Sequence, residues 1–283
     1  WYENNATPAA GPWTQHTIYE WDNDDDPLLK DRVYDVVLAD LDGDLDLDAA
    51  VAGYSPGGVM WFENPGPAGW GSQWPRRFIE TGTAVIRTMR IGDFNGDTKL
   101  DILATSEGAG NIPVPSPPNI HGGFVKWYEN PGDPKTQAWT THVVDEDSRA
   151  PIHGEPADID GDGDDDILMV FGMRNSLIDY ATHGMHDVAW YENVGSPGDG
   201  TTMTKYKIAE LPYAFEAIHT DLDRDGDIDV AATAWALGDE VVWYENTGDP
   251  RIEANWIRHT VKANWNAANQ VIATDINGDG WPD

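Results

Sequence analysis

Apolar and polar residues alternate along this chain in short runs broken by Gly, Pro and Asp. No stretch sustains a 3.6-residue period. Residues 33–39 alternate into an acidic loop and predict a first strand, A. Residues 48–54 leave that loop as a nearly continuous apolar run, strand B. Residues 59–62 (Val-Met-Trp-Phe) predict strand C, and residues 77–79 (Arg-Phe-Ile) predict strand D. The aromatic part of strand C recurs as Trp1-Tyr2-Glu3-Asn4, Trp61-Phe62-Glu63-Asn64, Trp127-Tyr128-Glu129-Asn130, Trp190-Tyr191-Glu192-Asn193 and Trp243-Tyr244-Glu245-Asn246. Each is followed by a weaker motif: Trp13 and His16, Trp74 and Arg77, Trp139 and His142, Met203 and Tyr206, Trp256 and His259. Repeats of this length predict an all-β chain of four-stranded units, the blades of a β-propeller, with five repeat units visible.

The acidic loop keeps step with the aromatic motif. Its copies begin at Asp40, Asp93, Asp158, Asp221 and Asp275. Oxygen donors stand at positions 1, 3, 5 and 9 of every copy. They are Asp40, Asp42, Asp44 and Asp48; Asp93, Asn95, Asp97 and Asp101; Asp158, Asp160, Asp162 and Asp166; Asp221, Asp223, Asp225 and Asp229; and Asp275, Asn277, Asp279 and Asp283. Five loops with one donor pattern predict a hard cation wrapped by oxygen, which means Ca2+, with up to five ions. An EF-hand is excluded, because position 12 is Val51, Met169 or Ala232 where that loop needs Glu.

Charge supports this reading. The chain has 283 residues, 50 Asp and Glu against 17 Lys and Arg, and a formal charge of −33. Such a chain does not bind nucleic acid by phosphate neutralisation. Without cations the clusters repel, so bound ions should add folding free energy. No apolar run approaches the ~18 residues of a membrane span, so membrane insertion is not expected. Cys is absent, which leaves the compartment undecided.

The pattern resembles the FG-GAP/VCBS-repeat family of calcium-loop propellers, which includes the head of integrin alpha subunits and secreted bacterial VCBS-repeat proteins. The resemblance implies that the acidic loop joins strands A and B on one face of the ring. It also implies side-chain ligands at the twenty donors above, with a backbone carbonyl at position 7, and an extracellular or cell-surface location. Two loops depart from the pattern. Position 6, elsewhere Gly, is Leu45 in the first loop and Thr98 in the second, and the second also has Lys99 at position 7. The second loop should be the weakest site.

The expected organisation is one propeller domain over residues 1–283. Its fifth blade is divided between the two termini and lacks strand B, so the ring holds five to eight blades or is completed by sequence or a strand outside this chain. Through that blade a homo-oligomer or fibre is conceivable.

Binding is expected opposite the acidic loops, where connections 108–123, 172–187 and 20–32 are long. Candidate ligand residues are Trp21, Asp35, His153, Tyr180, His183 and Glu216. Five residues before each acidic loop stands a polar side chain: Asp35, Thr88, His153, Glu216 and Gln270. This ring should line the central channel as hydrated lining or as a small-ligand site. Trp21, Trp70, Trp235 and Trp265 fall outside the aromatic repeat and are candidates for stacking on sugars.

Three functions fit. The first is a secreted, calcium-stabilised binding or adhesion module for polysaccharide or an extracellular protein, with no catalysis required. The second is a polysaccharide or sugar-modifying lyase, with His153, His183 or Tyr180 as acid or base and Arg149 or Arg174 as counter-cation. The third is a subunit of an extracellular fibre or surface layer.

Overall fold

The computed structural model describes every residue except 5, 7–10, 21–31, 56–57, 84, 109–122, 149, 173–185, 196 and 236–237. The candidates Trp21, Tyr180, His183, Arg149 and Arg174 lie outside the described residues, as does most of the three long connections.

The described chain opens with a short antiparallel hairpin, β1 (Tyr2–Glu3) and β2 (Thr14–Gln15). Four antiparallel meanders follow, each with its strands in chain order across the sheet. The first is β3 (Arg32–Ala39), β4 (Asp48–Ser55), β5 (Gly58–Phe62) and β6 (Arg76–Thr81). The second is β7 (Ile86–Gly92), β8 (Asp101–Ser106), β9 (Gly123–Glu129) and β10 (Thr140–Ser148). The third is β11 (Pro151–Ala157), β12 (Asp166–Phe171), β13 (Asp187–Gly195) and β14 (Gly198–Glu210). The fourth is β15 (Ala214–Thr220), β16 (Asp229–Ala234), β17 (Glu240–Asn246) and β18 (Trp256–Ala263). These are propeller blades. Their first strands stand side by side, β3 against β7, β7 against β11 and β11 against β15.

The core lies between blades. Ala50, Ala52, Val59 and Trp61 of the first blade pack on Ile86, Met89, Ile102 and Tyr128 of the second. The same pattern joins the second to the third, through Leu103, Trp127, Ile167 and Met169, and the third to the fourth. β8 and β12 therefore have a neighbouring blade on both faces, and β16 has the third blade on one face and the segment containing Asn269 on the other. That explains why β8, β12 and β16 are buried at every position and read as apolar runs without alternation.

The fifth unit differs from the other four. Residues 269–274, expected as its strand A, form no ladder, because no described strand lies beside them to pair with. Hydrogen bonds to the fourth blade hold them instead: Val271 N–H donates to Glu216 (3.1 Å) and the Thr233 hydroxyl donates to the Asn269 carbonyl (3.1 Å). At the other end, Ile18 and Tyr19 pack on Val51, Met60 and Phe62 of the first blade. Val36 and Leu38, which share a face of β3, remain exposed.

Candidate metal centres and the central cavity

Each acidic loop is wound by its own side chains. The carboxylate at position 1 accepts backbone N–H groups from inside the loop. Asp40, for example, accepts from Gly43 (2.8 Å), Asp44 (3.1 Å) and Leu45 (3.0 Å). Position 3 accepts from the N–H of position 5 in all five copies, at 2.8–3.3 Å. These turns pull the side chains toward one centre, and they need positive φ at positions 4 and 6. Leu45 (φ 75°) and Thr98 (φ 70°) adopt that conformation despite their side chains, as does Arg224 (φ 64°) at position 4 of the fourth loop. The turn is kept in all five loops, at about 1–2 kcal/mol for each non-glycine residue.

Position 9 does a different job. Asp48, Asp101, Asp166 and Asp229 are fully buried, and each carboxylate braces its loop to the aromatic motif. One oxygen accepts the N–H of loop position 2: Leu41 (3.1 Å), Phe94 (3.2 Å), Ile159 (3.0 Å) and Leu222 (2.8 Å). The other accepts the N–H of the motif's Asn: Asn64, Asn130, Asn193 and Asn246, at 2.8–2.9 Å. The amides of Asn130 and Asn193 then donate to Leu41 and Phe94 in the preceding blade's loop, both at 2.8 Å. Burial, opposed by those N–H donors, pushes Asp48 and Asp101 to about 7 and Asp166 to about 8. A bound cation would reverse that penalty by favouring the ionised form.

Three loops gather carboxylates tightly enough to hold a metal ion, with one oxygen from each residue within 4.8 Å of the others. The trios are Asp40, Asp42 and Asp48; Asp158, Asp160 and Asp166; and Asp221, Asp223 and Asp225. Buried oxygens of Asp46, Asp158, Asp164 and Asp221 have no hydrogen-bond partner in the protein. Unpaired buried carboxylate oxygens cost several kcal/mol each unless a cation meets them, so the donor set fits a hard cation. Asp46 and Asp164, at position 7, each keep one buried oxygen unpaired, while the other Asp164 oxygen accepts the Gly198 N–H; only a backbone carbonyl was expected to act at that position. Burial and the neighbouring carboxylates raise both, Asp164 to about 6. The second and fifth loops form no such trio. Each has Asn at position 3, and Lys99 Nζ takes Asp97 at 2.5 Å.

The two aromatic motifs work as a pair. Each third-motif residue lies directly across from the motif Trp: Arg77 from Trp61, His142 from Trp127, Tyr206 from Trp190 and His259 from Trp243. Its ring or guanidinium covers the indole. His142 stacks on Trp127 at 3.9 Å, His259 on Trp243 at 4.3 Å and His16 on Trp1 at 4.1 Å. The motif Glu, two residues on and therefore on the same face, closes the clamp. Glu129 bonds His142 at 2.9 Å, Glu63 bonds Arg77 at 2.6 Å and Glu245 bonds His259 at 2.6 Å. The recurring shape is a packing device, and the indole N–H of Trp127 reaches the next blade at Gly200 O (3.1 Å).

The five polar residues that precede the loops meet at the centre. Asp35, Thr88, His153, Glu216 and Gln270 all line one cavity of about 200 Å³, together with Tyr34 and Phe215. Asp35 accepts from Met89 N–H (3.1 Å) and Arg90 (2.6 Å). Arg90 also donates to His153 Nε2 (2.8 Å), which puts the imidazole proton on Nδ1. His153 Nε2 lies 3.6 Å from Glu216, and Glu155 lies 3.7 Å from Arg90 and 3.6 Å from His219. Arg87, nearly fully buried, pairs with Glu107 at 2.7 Å beneath the Tyr34 ring. His186 accepts from the Tyr213 N–H (3.3 Å), in the turn between β14 and β15.

A family model for the FG-GAP-like repeat matches residues 40–104 and 221–283. The chain therefore carries FG-GAP-like repeats. The two matched segments contain four of the five acidic loops. The third loop falls between them and has the same geometry, including its own carboxylate trio. No curated protein matches the chain. Among the described residues no helix is long and apolar enough to cross a membrane.

Proposed function

We propose that this protein is a calcium-stabilised propeller that binds polysaccharide outside the cell or at its surface. The observation that carries the reading is the set of unpaired buried carboxylate oxygens in the first, third and fourth loops. The donors are oxygens alone, several of them carboxylates, and the loops are open to solvent at their rims. Calcium suits this, since it takes about six to eight oxygens in irregular geometry. Asp40, Asp42 and Asp48, with Asp46, would hold one ion; Asp158, Asp160 and Asp166, with Asp164, a second; Asp221, Asp223 and Asp225 a third. Bound calcium supplies charge neutralisation and ties strands A and B of a blade together. Acidic loops of this kind fill at the calcium levels found outside cells, roughly 10⁻⁴–10⁻³ M.

The central cavity supports a neutral glycan as ligand. It offers acceptors, donors and the Tyr34 and Phe215 rings, the mixture that sugars use. Both of its guanidinium groups are already matched, Arg87 by Glu107 and Arg90 by Asp35. Among the described lining residues no guanidinium is left for a uronate, which favours a neutral ligand over the lyase reading. Removal of calcium with a chelator is expected to lower the melting temperature, and calorimetry to count about three ions. A melting temperature indifferent to both chelator and added calcium refutes the metal assignment. Neutral oligosaccharides should bind saturably without turnover. Preferential binding of uronates, or an unsaturated product, would reinstate the lyase.

A further inference from the structure

Two of the five loops receive a cation from the next blade. Lys135 Nζ lies 2.7 Å from Asp42, at position 3 of the first loop, and 3.2 Å from Glu63. Arg251 pairs in the same way with Asp160, at position 3 of the third loop, and with Glu192. Both cations follow the aromatic motif's Asn by five residues, in Gly132-Asp133-Pro134-Lys135 and Gly248-Asp249-Pro250-Arg251. At that offset the other units have Ala9, Gly69 and Gly198, so no cation reaches the second, fourth and fifth loops from that position. The side chains they meet are buried, with Asp42 1% and Asp160 3% exposed. These two loops are also the ones where the position-7 carboxylate keeps an unpaired buried oxygen, Asp46 and Asp164.

We infer that Lys135 and Arg251 are tethered counter-cations that compete with calcium at position 3 and clip neighbouring blades when calcium is absent. The fourth loop gathers Asp221, Asp223 and Asp225 with no such cation, and it is the tightest site. The first and third loops fill at higher calcium. This rests on the calcium reading above. The Asp42 oxygens are both engaged, one by Lys135 and the other by the Asp44 N–H (3.3 Å). An ion joining that carboxylate sits about 5 Å from an ammonium. Point-charge repulsion across that distance in a water-like dielectric weakens binding roughly tenfold. The clip has the opposite sign in the metal-free protein, where the cation is the partner of a buried carboxylate.

The test is calcium calorimetry and melting in chelator for the wild type, Lys135→Met, Lys135→Arg, Arg251→Met and Asp223→Asn. The wild type should show one tight and two weaker ions. Lys135→Met and Arg251→Met should each tighten one weak ion about tenfold and lower the melting temperature in chelator, while Lys135→Arg does neither. Asp223→Asn should remove the tight ion and leave the weak pair. Either loop suffices if one variant fails to fold. Weak sites unchanged or weakened in both Met variants overturn the inference and leave the calcium reading intact, as does loss of a weak ion in Asp223→Asn. A wild type that binds no calcium overturns both.

Discussion

Acidification should destabilise this protein through His153. The imidazole is 8% exposed beside the central cavity. Burial first, and the Arg90 guanidinium second, hold it down to about 4. In the unfolded chain it returns to about 6.5. Between those values the unfolded state binds the proton and the folded state does not, so stability is full above pH 6.5 and falls as pH drops toward 4. The gap corresponds to about 3 kcal/mol when complete and to about 2 kcal/mol at pH 5. For a chain of this size that lowers the melting temperature by about 4 °C. Other groups face the ring and titrate or carry charge: Asp35 on β3, Arg90 on β7, Glu155 on β11, and Glu216 and His219 on β15. Thermal melts should therefore compare the wild type with His153→Gln, whose amide oxygen can still accept from Arg90, at each pH and saturating calcium. The shared titrations then cancel in the difference. His153→Gln should lose ground at pH 7 and recover about 2 kcal/mol of it relative to wild type at pH 5. A difference that stays constant from pH 7 to pH 5 refutes the argument.

Gly200→Ala should destabilise by at least about 2 kcal/mol in a denaturant titration, because φ is +73° and the new Cβ would stand 2.5 Å from the Trp127 ring; an unchanged midpoint contradicts the packing. Asp101→Ala should cost about 2–4 kcal/mol even in chelator, since it strands the buried N–H groups of Phe94 and Asn130. If that loss appears only with calcium present, the brace is not its cause. His142→Ala should cost about 1 kcal/mol by removing the stack on Trp127 and the bond to Glu129. His142→Arg should restore most of it, because Arg77 fills the equivalent place in the first blade.

Much of this was legible because it is local and periodic. An acidic loop winds itself through hydrogen bonds spanning two to five residues, so nine residues suffice to announce it. The polar ring could be read by counting five residues back from each loop, since one strand geometry recurs in register. Strand boundaries such as those of β4 and β5 came within a residue or so, because apolar runs end at Asp and Gly. The pairing of His142 with Trp127 was written in the sequence as two motifs, yet their meeting needed the β9–β10 register.

Chain composition and repeat period by themselves determined the all-β blades, the loops and the oxygen-donor positions, since these follow from contacts within one unit. Only the tertiary structure decided which loops keep unpaired carboxylates, which receive Lys135 or Arg251, and where Asn130 and Asn193 anchor. Those contacts join residues 89–99 positions apart. It also decided that residues 269–274 carry a strand pattern without forming a strand. A period states what each unit contains; the packing of one unit against the next supplies the partner for each buried charge and each unpaired edge.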